Sequence, residues 1–342
     1  MTASNIPIKN IFYMLSYAYK SLSFNDYQNL SAEKFDNLTD LYTEILIIAY
    51  RKIIKQGPYK EYIPHQEDST FIKGKINLRD SMRTNNIINN KVAVEYEVLS
   101  EDNLLNQIIK ATFLKLVYSA QLSAQQLKAI KEILLYLTEV SSITLNEYSF
   151  SQVLYNNQNR HYELPIDMAK FLYDSMLISD VAGSHHLKEI KDEQALSSLF
   201  ENFVYAFYQK ETDWKVSRPK IHWDVDEGYN EALPVMQTDI VLKKDHQTII
   251  IDTKFYQQNM KSRYENGPKK HLTGNLYQLF TYLENYQRKD DETVSRMLLY
   301  AMTNDKEQPD HEYVIKGKKL KVTHINLSQE MKKISQELKG LV

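Results

Sequence analysis

The chain has 342 residues and a formal net charge of −2, with 43% hydrophobic and 25% charged residues, no cysteine, eight glycines and eight prolines. That composition excludes a disulfide scaffold, thiolate chemistry, a collagen-like or low-complexity chain, and a protein that coats nucleic acid through bulk positive charge. No apolar run approaches the ~18 residues of a membrane span, and the opening MTASNIPIKN has no apolar stretch behind a basic one, so a soluble, cytoplasmic protein without a leader is expected.

In chain order, the pattern predicts a helix over 7–19, with Ile11, Met14, Leu15 and Ala18 on one face. A second, over 36–55, stops at Gln56-Gly57-Pro58. Segments 59–63, 71–78 and 92–99 read as strands, and Val92, Val94, Tyr96 and Val98 alternate along the last. A helix after Asn103 carries Leu104, Leu105, Ile108, Ile109, Phe113 and Leu116 on one face. Another starts near Ser123, with Gln126 placed for a capping box, and one more covers 164–179. The small, polar stretch 180–186 is expected to separate an N-terminal mixed helix-and-strand domain (1–180) from a C-terminal domain (181–342). In the latter, a helix over 192–210 precedes strands near 214–218, 236–243 and 247–254. A helix over 271–285, strands near 295–302 and 319–326 and a terminal amphipathic helix follow. The expected fold is therefore α/β (α+β), an αβββαβ order around a mixed sheet.

The chemistry concentrates on the third strand. Ile249, Ile250 and Ile251 form the continuous apolar run of a strand covered on both faces. Asp252 and Lys254 come next, two apart, so a carboxylate and an ammonium leave the same face of the strand end. Asp239, on the partner strand of a hairpin that turns near Asp245, can lie across from Asp252. Two carboxylates in one place repel. A hard divalent cation relieves the repulsion, and Mg²⁺ takes one or two carboxylates, waters and a phosphate oxygen. A lysine alongside can orient or deprotonate an attacking water and steady the charge on a phosphate. The implied reaction is metal-assisted phosphodiester hydrolysis. A bare Asp-x-Lys is more often a strand-end ion pair; the buried strand and the upstream Asp239 distinguish this one.

Further residues frame that centre. Glu201 lies beside the Phe200 and Phe203 stripe of the helix before the strands, as a third ligand, an acceptor behind the ligands, or a solvated edge residue. Gln278 and Tyr282 share a face of the helix after the strand, where the amide can reach the DNA backbone or the lysine. Lys261, Arg263, Lys269 and Lys270 make the connector basic; they are candidates for phosphate contacts, against the plainer reading of a solvated charge run.

Together, Glu201, Asp239, Asp252-Thr253-Lys254 and Gln278 with Tyr282 resemble the PD-(D/E)xK nuclease superfamily in its RecB-like variant. The segments IPIKNIFYMLSYA at 6–18, IKGKI at 72–76, LSEDNLLNQIIK at 99–110, TDI at 238–240 and NLYQL at 275–279 are similar to the McrC family, the endonuclease subunit of McrBC-type modification-dependent restriction systems. The resemblance implies a restriction-endonuclease-like C-terminal domain that cuts double-stranded, 5-methylcytosine-type modified DNA with Mg²⁺, or Mn²⁺ in its place. It implies that Asp239, Asp252 and the Thr253 carbonyl hold the metal, with Glu201 as a further ligand or behind them. Lys254 would serve the water, and Gln278 would orient the backbone or Lys254. The N-terminal domain would dock on a hexameric AAA+ GTPase of McrB type and stimulate its GTP hydrolysis. The chain has no G-x-x-x-x-G-K-[ST] loop, so the nucleotide chemistry would be the partner's. Thr238 stands where the superfamily has proline, a position that is not a ligand. Two other classes fit the same residues: a non-catalytic adaptor that activates the GTPase, and a stand-alone RecB-like repair nuclease.

Overall fold

The computed structural model describes residues 6–19, 22, 35, 38–83, 88, 90–119, 122–179, 185–229, 231–262, 264, 267–287 and 291–342, with backbone alone at 83, 119, 177–179 and 185–192. The chain forms two compact units, Met1–Leu38 with Ile178–Val342, and Thr39–Leu177. The first segment therefore groups with the C-terminal unit, whereas the division at 180/181 assigned it to the N-terminal one. The reason is a set of contacts remote in sequence. Helix α1 (Ile8–Ala18) presents Tyr17, whose hydroxyl donates to Glu211 at 2.8 Å and whose ring meets Phe203 edge-on at 5.6 Å. Asn10 donates to the carbonyls of Leu327 and Gln329 at 2.7 and 2.8 Å. Local periodicity carries no trace of such partners.

The Thr39–Leu177 unit contains α2 (Leu38–Gln56), β1 (Glu61–Ser69), β2 (Lys75–Ile76), α3 (Leu78–Arg83), β3 (Val92–Ser100), α4 (Leu104–Ser119), α5 (Ala124–Leu135), α6 (Glu147–Ser151) and α7 (Glu163–Ser179). Strand β3 lies between β1 and β2, and β1 runs antiparallel along all of it, from Glu61↔Ser100 to Ser69↔Val92. Pro64 sits in β1, an edge strand, where a missing N–H is tolerated. The alternation expected for β3 packs at one end only: Val94 is fully buried, while Val98 and Leu99 are exposed. The capping box forms, with Ser123 Oγ accepting the Gln126 N–H at 3.2 Å and Gln126 Oε1 accepting the Ser123 N–H at 3.1 Å. The polar centre of this unit is Asn106, fully buried. Its Oδ1 accepts from Tyr50 and Tyr162 at 2.9 and 2.7 Å, and its Nδ2 donates to the carbonyls of Glu101 and Tyr59 at 2.8 and 3.1 Å.

The other unit continues with α8 (His185–Glu211), β4 (Lys215–Ser217), β5 (Lys220–Ile221), β6 (Met236–Gln237), β7 (Ile240–Lys244), β8 (Gln247–Lys254), β9 (Met260–Lys261), β10 (Lys270–His271), α9 (Thr273–Asn285), β11 (Thr293–Ala301), β12 (His311–Ile315), β13 (Lys318–Ile325) and α10 (Met331–Gly340). Helix α8 already starts at His185, so part of the expected connector is helical; 180–184 lie outside the described residues. A six-stranded mixed sheet runs in the order β12-β13-β11-β8-β7-β4. Strands β8, β11 and β13 are parallel, and β12, β7 and β4 are antiparallel to their neighbours. The helix, three strands, helix, strand order read from the sequence is present, with the short pairs β5–β6 and β9–β10 and the edge strand β12 in addition.

Strand β8 is covered on both faces, as its isoleucine run predicts. Ile250 belongs to a cluster with Tyr282 and Leu283 of α9, while Phe255, just past the strand end, meets Phe200 of α8 at 6.4 Å. The β7–β8 turn places Asp245 at φ 52, a left-handed value that Asp tolerates. Strand β12 was missed because nearly all of its residues are exposed. Its turn shows the local signature that could have revealed it: Lys316 and Gly317 both have positive φ, 51 and 73, the pattern of a two-residue hairpin turn. Among the described residues no helix is long and apolar enough to cross a membrane.

Candidate active site

The site forms where β8 ends. Asp252 and Lys254 lie on the face covered by α9, because residues two apart on a strand point the same way. Lys254 Nζ lies 2.8 Å from Asp252 Oδ2, and the two side chains are 14% and 0% exposed. Lys254 also donates to Gln278 Oε1 on α9 at 3.1 Å. Gln278 Nε2 in turn donates to the Tyr282 hydroxyl at 2.6 Å, and that hydroxyl donates to the Gln237 carbonyl at 2.8 Å. The ammonium is thus held by a carboxylate on its own strand and by a relay that ends at Gln237, two residues before Asp239.

Asp239 occupies the gap between β6 and β7. Since Ile240 pairs with Ile251, the next step along the ladder brings Asp239 level with Asp252. Its Oδ2 accepts both the N–H and the hydroxyl of Thr253, at 2.8 and 3.0 Å. Asp252 Oδ1 is buried and accepts no hydrogen bond from the described residues. A buried carboxylate oxygen without a donor is costly, and a cation placed there would relieve that cost.

Glu201, on α8, stands nearby but is engaged. Arg218 Nη2 lies 3.2 Å from Glu201 Oε1 and donates to Asn202 Oδ1 at 3.0 Å. Arg218 Nε donates to the Asp239 carbonyl at 3.0 Å, and the guanidinium lies 4.4 Å from the Tyr205 ring. Among the described residues no three His, Asp or Glu side chains cluster closely enough to hold a metal together. Glu201 is held by Arg218, and its charge still reaches Asp239 and Asp252. Sequence reasoning overlooked Arg218; its one local sign is a basic residue and a proline at the end of an edge strand.

Charges in the site respond to burial and to one another. Burial pushes the Asp252 carboxyl up to about 7; the Lys254 ammonium opposes this, and the charges of Asp239 and Glu201 add to it. Burial and the Asp239 charge also raise Glu201, against Arg218 and Lys254. Burial alone would lower Lys254, but the carboxylates of Asp252 and Asp239 hold its ammonium above the ordinary lysine range. The arrangement is acidic, short of donors at Asp252 Oδ1, and carries two fixed cations, Lys254 and Arg218. Its donors are hard oxygens with no sulfur or imidazole among them, which suits Mg²⁺ or Mn²⁺ with retained waters.

The candidate phosphate contacts divide. Lys261 and Lys270 lie directly opposite each other across β9–β10, a like-charge pair that an anion would relieve. Lys269 is instead ion-paired with Asp305 at 3.3 Å, which answers its charge within the protein. Arg263 lies outside the described residues.

The sequence profile of a family described as "McrBC 5-methylcytosine restriction system component" matches residues 4–301. The chain is 29% identical over 339 residues to the type IV methyl-directed restriction enzyme EcoKMcrBC of Escherichia coli (strain K12), covering 97% of this chain and 96% of that protein. Among solved structures it resembles a chain of the refined half-complex from the tetradecameric assembly of Thermococcus gammatolerans McrB AAA+ hexamers with bound McrC. The TM-score is 0.51 at 19% identity, covering 97% of this chain and 76% of that one. At that identity the likeness speaks for the fold alone. It also resembles a chain of the cryo-EM structure of the Thermococcus gammatolerans McrBC complex, with TM-score 0.45, 20% identity and coverage of 61% and 60%.

Proposed function

This chain belongs to the McrBC 5-methylcytosine restriction system component family, and from that premise we propose that it is the McrC-type endonuclease subunit of a modification-dependent restriction complex. The observation that carries the reading is the buried Asp252, with neither oxygen accepting a directed hydrogen bond among the described residues and one of them 2.8 Å from the Lys254 ammonium, level with Asp239 at a strand end. On this reading the C-terminal unit is a restriction-endonuclease-like fold of the PD-(D/E)xK superfamily.

Asp252 and Asp239, with the Thr253 carbonyl, would hold Mg²⁺, or Mn²⁺ in its place. Bound there, the metal supplies positive charge to the scissile phosphodiester and makes water easier to deprotonate. Lys254 orients the attacking water and balances the charge that builds on the phosphate oxygens. Gln278 and Tyr282 fix the direction of the ammonium, and Thr253 fixes Asp239. Water attacks phosphorus, the bond to one bridging oxygen breaks, and the leaving oxygen takes a proton. Lys261 and Lys270 are available to phosphates flanking the cut.

The Thr39–Leu177 unit would dock on an McrB-type AAA+ hexamer. It exposes Tyr62, Phe71, Ile72 and Leu99 on and beside its sheet, and exposed apolar groups of that size favour a protein partner. The partner would read the modified base and hydrolyse GTP.

Asp252→Ala in the assembled complex tests the assignment. Cleavage of methylated DNA in Mg²⁺ and GTP should disappear while stimulation of the partner's GTPase persists. Wild-type cleavage by that variant would leave the adaptor role alone standing. Cutting by the isolated chain without GTP would favour the repair-nuclease reading.

A further inference from the structure

The strand carrying Asp239 is irregular in a particular way. Pairing of β4 with β7 reaches Ser217↔Val241, and pairing of β5 with β6 resumes at Lys220↔Gln237. Between those pairs lie Arg218 and Pro219 on one side and Thr238, Asp239 and Ile240 on the other. One extra residue on one strand is a β-bulge, which bends that strand and re-aims a side chain. Pro219 faces the bulge and has no N–H to give it.

Side chains close the gap that the ladder leaves. Arg218 Nε donates to the Asp239 carbonyl at 3.0 Å. Gln237 Nε2 donates to the Arg218 carbonyl at 3.1 Å, and Thr238 Oγ1 to the Pro219 carbonyl at 2.9 Å. The far end of the guanidinium is fixed by Asn202, Glu201 and the Tyr205 ring, so α8 steadies the bulge through one side chain.

We infer that Arg218 is a positioning residue of the site: it supplies the hydrogen bond that Pro219 cannot, and thereby holds the bulge that turns the Asp239 carboxylate onto Thr253. The inference rests on the metal-nuclease reading for its consequence, weaker metal binding when the aim is lost, but not for the geometry itself. Lysine in its place keeps the positive charge. It lacks the planar fork that serves the Asp239 carbonyl, Asn202 and Glu201 at once, so the substitution separates aim from electrostatics.

The test is Arg218→Lys in the full chain, with three readouts. Without metal, exchange of the Thr253 amide hydrogen, bonded to Asp239 Oδ2, should speed up by about tenfold. Mn²⁺ titrated into the chain without DNA should bind about tenfold more weakly. In the complex, the Mg²⁺ needed for half-maximal cleavage should rise by a similar factor, while the rate at saturating Mg²⁺ stays within about threefold. Asn202→Ala, which removes one acceptor from the fork, should shift Mn²⁺ affinity less but in the same direction, and carries the test if Arg218→Lys does not fold. Arg296→Lys is the comparison. That arginine is buried, 4.1 Å from the Phe280 ring, and its replacement should lower the melting temperature without moving Mn²⁺ affinity. Wild-type Thr253 exchange and Mn²⁺ affinity in Arg218→Lys would overturn the inference, as would a loss of thermal stability alone. A wild-type chain that binds no Mn²⁺ would sink the nuclease reading instead, while Thr253 exchange would still report on the bulge.

Discussion

Thr253 holds Asp239 twice, its N–H and its hydroxyl both donating to the same carboxylate oxygen at 2.8 and 3.0 Å. The residue between Asp252 and Lys254 thus faces the other way and still serves the site, by fixing the neighbouring strand's carboxylate. Thr253→Val keeps the shape and the backbone donor and removes only the hydroxyl. Stability should change by no more than about 1 kcal/mol, while Mn²⁺ affinity should fall by about threefold to tenfold. Calorimetric titration beside thermal unfolding checks this; unchanged affinity would assign the hold on Asp239 to the backbone N–H alone.

The metal-free protein should lose stability as pH rises. Asp252 titrates near 3.8 when unperturbed and is pushed up to about 7 here, chiefly by burial. The folded state therefore keeps a proton that the unfolded chain has already released. The group's favourable contribution is complete below about pH 4 and is lost as pH climbs through about 7. Asp252→Asn removes that dependence, so its melting temperature relative to wild type should rise by a few degrees between about pH 5 and pH 8 in chelator. A wild-type profile parallel to that of the variant would contradict the burial argument. Metal binding below about pH 7 should release a proton, giving an affinity that rises with pH.

Asn106 organises the Thr39–Leu177 unit from α4. Asn106→Ala removes the acceptor of two buried tyrosine hydroxyls and the side-chain donor to the Glu101 carbonyl, while the Tyr59 carbonyl keeps Asn103, at a cost of about 3 kcal/mol. The loss should appear as earlier melting of that unit and weaker GTPase stimulation. Mn²⁺ binding by the isolated chain should not change, and a parallel fall in Mn²⁺ affinity would show that the effect is not confined to the unit.

Much of the site could be read from the chain because β8 announces itself locally. Three isoleucines mark a strand buried on both faces, and the two-residue step from Asp252 to Lys254 puts both on one of them. Gln278 and Tyr282, one helical turn apart, likewise share a face, which the spacing gives; that the amide meets Lys254 and the hydroxyl meets the Gln237 carbonyl depends on how the helix packs on the sheet. Strand β12 escaped because an exposed edge strand carries no apolar alternation. Lys269 was grouped with its basic neighbours because nothing in the sequence shows that Asp305 lies within reach.

What the sequence determined alone was therefore periodic or contiguous: the longer helices and the buried strands, their order along the chain, and the acid–lysine pair at one strand end. The tertiary structure decided what depends on segments far apart meeting. It joined α1 to the C-terminal unit through Tyr17 and Glu211, tied Glu201 to Arg218, and set the bulge opposite Pro219 that aims Asp239. Side-chain periodicity reports which face of an element is apolar. It is silent on which distant donor meets an orphaned carbonyl, because that is set by packing of the whole unit.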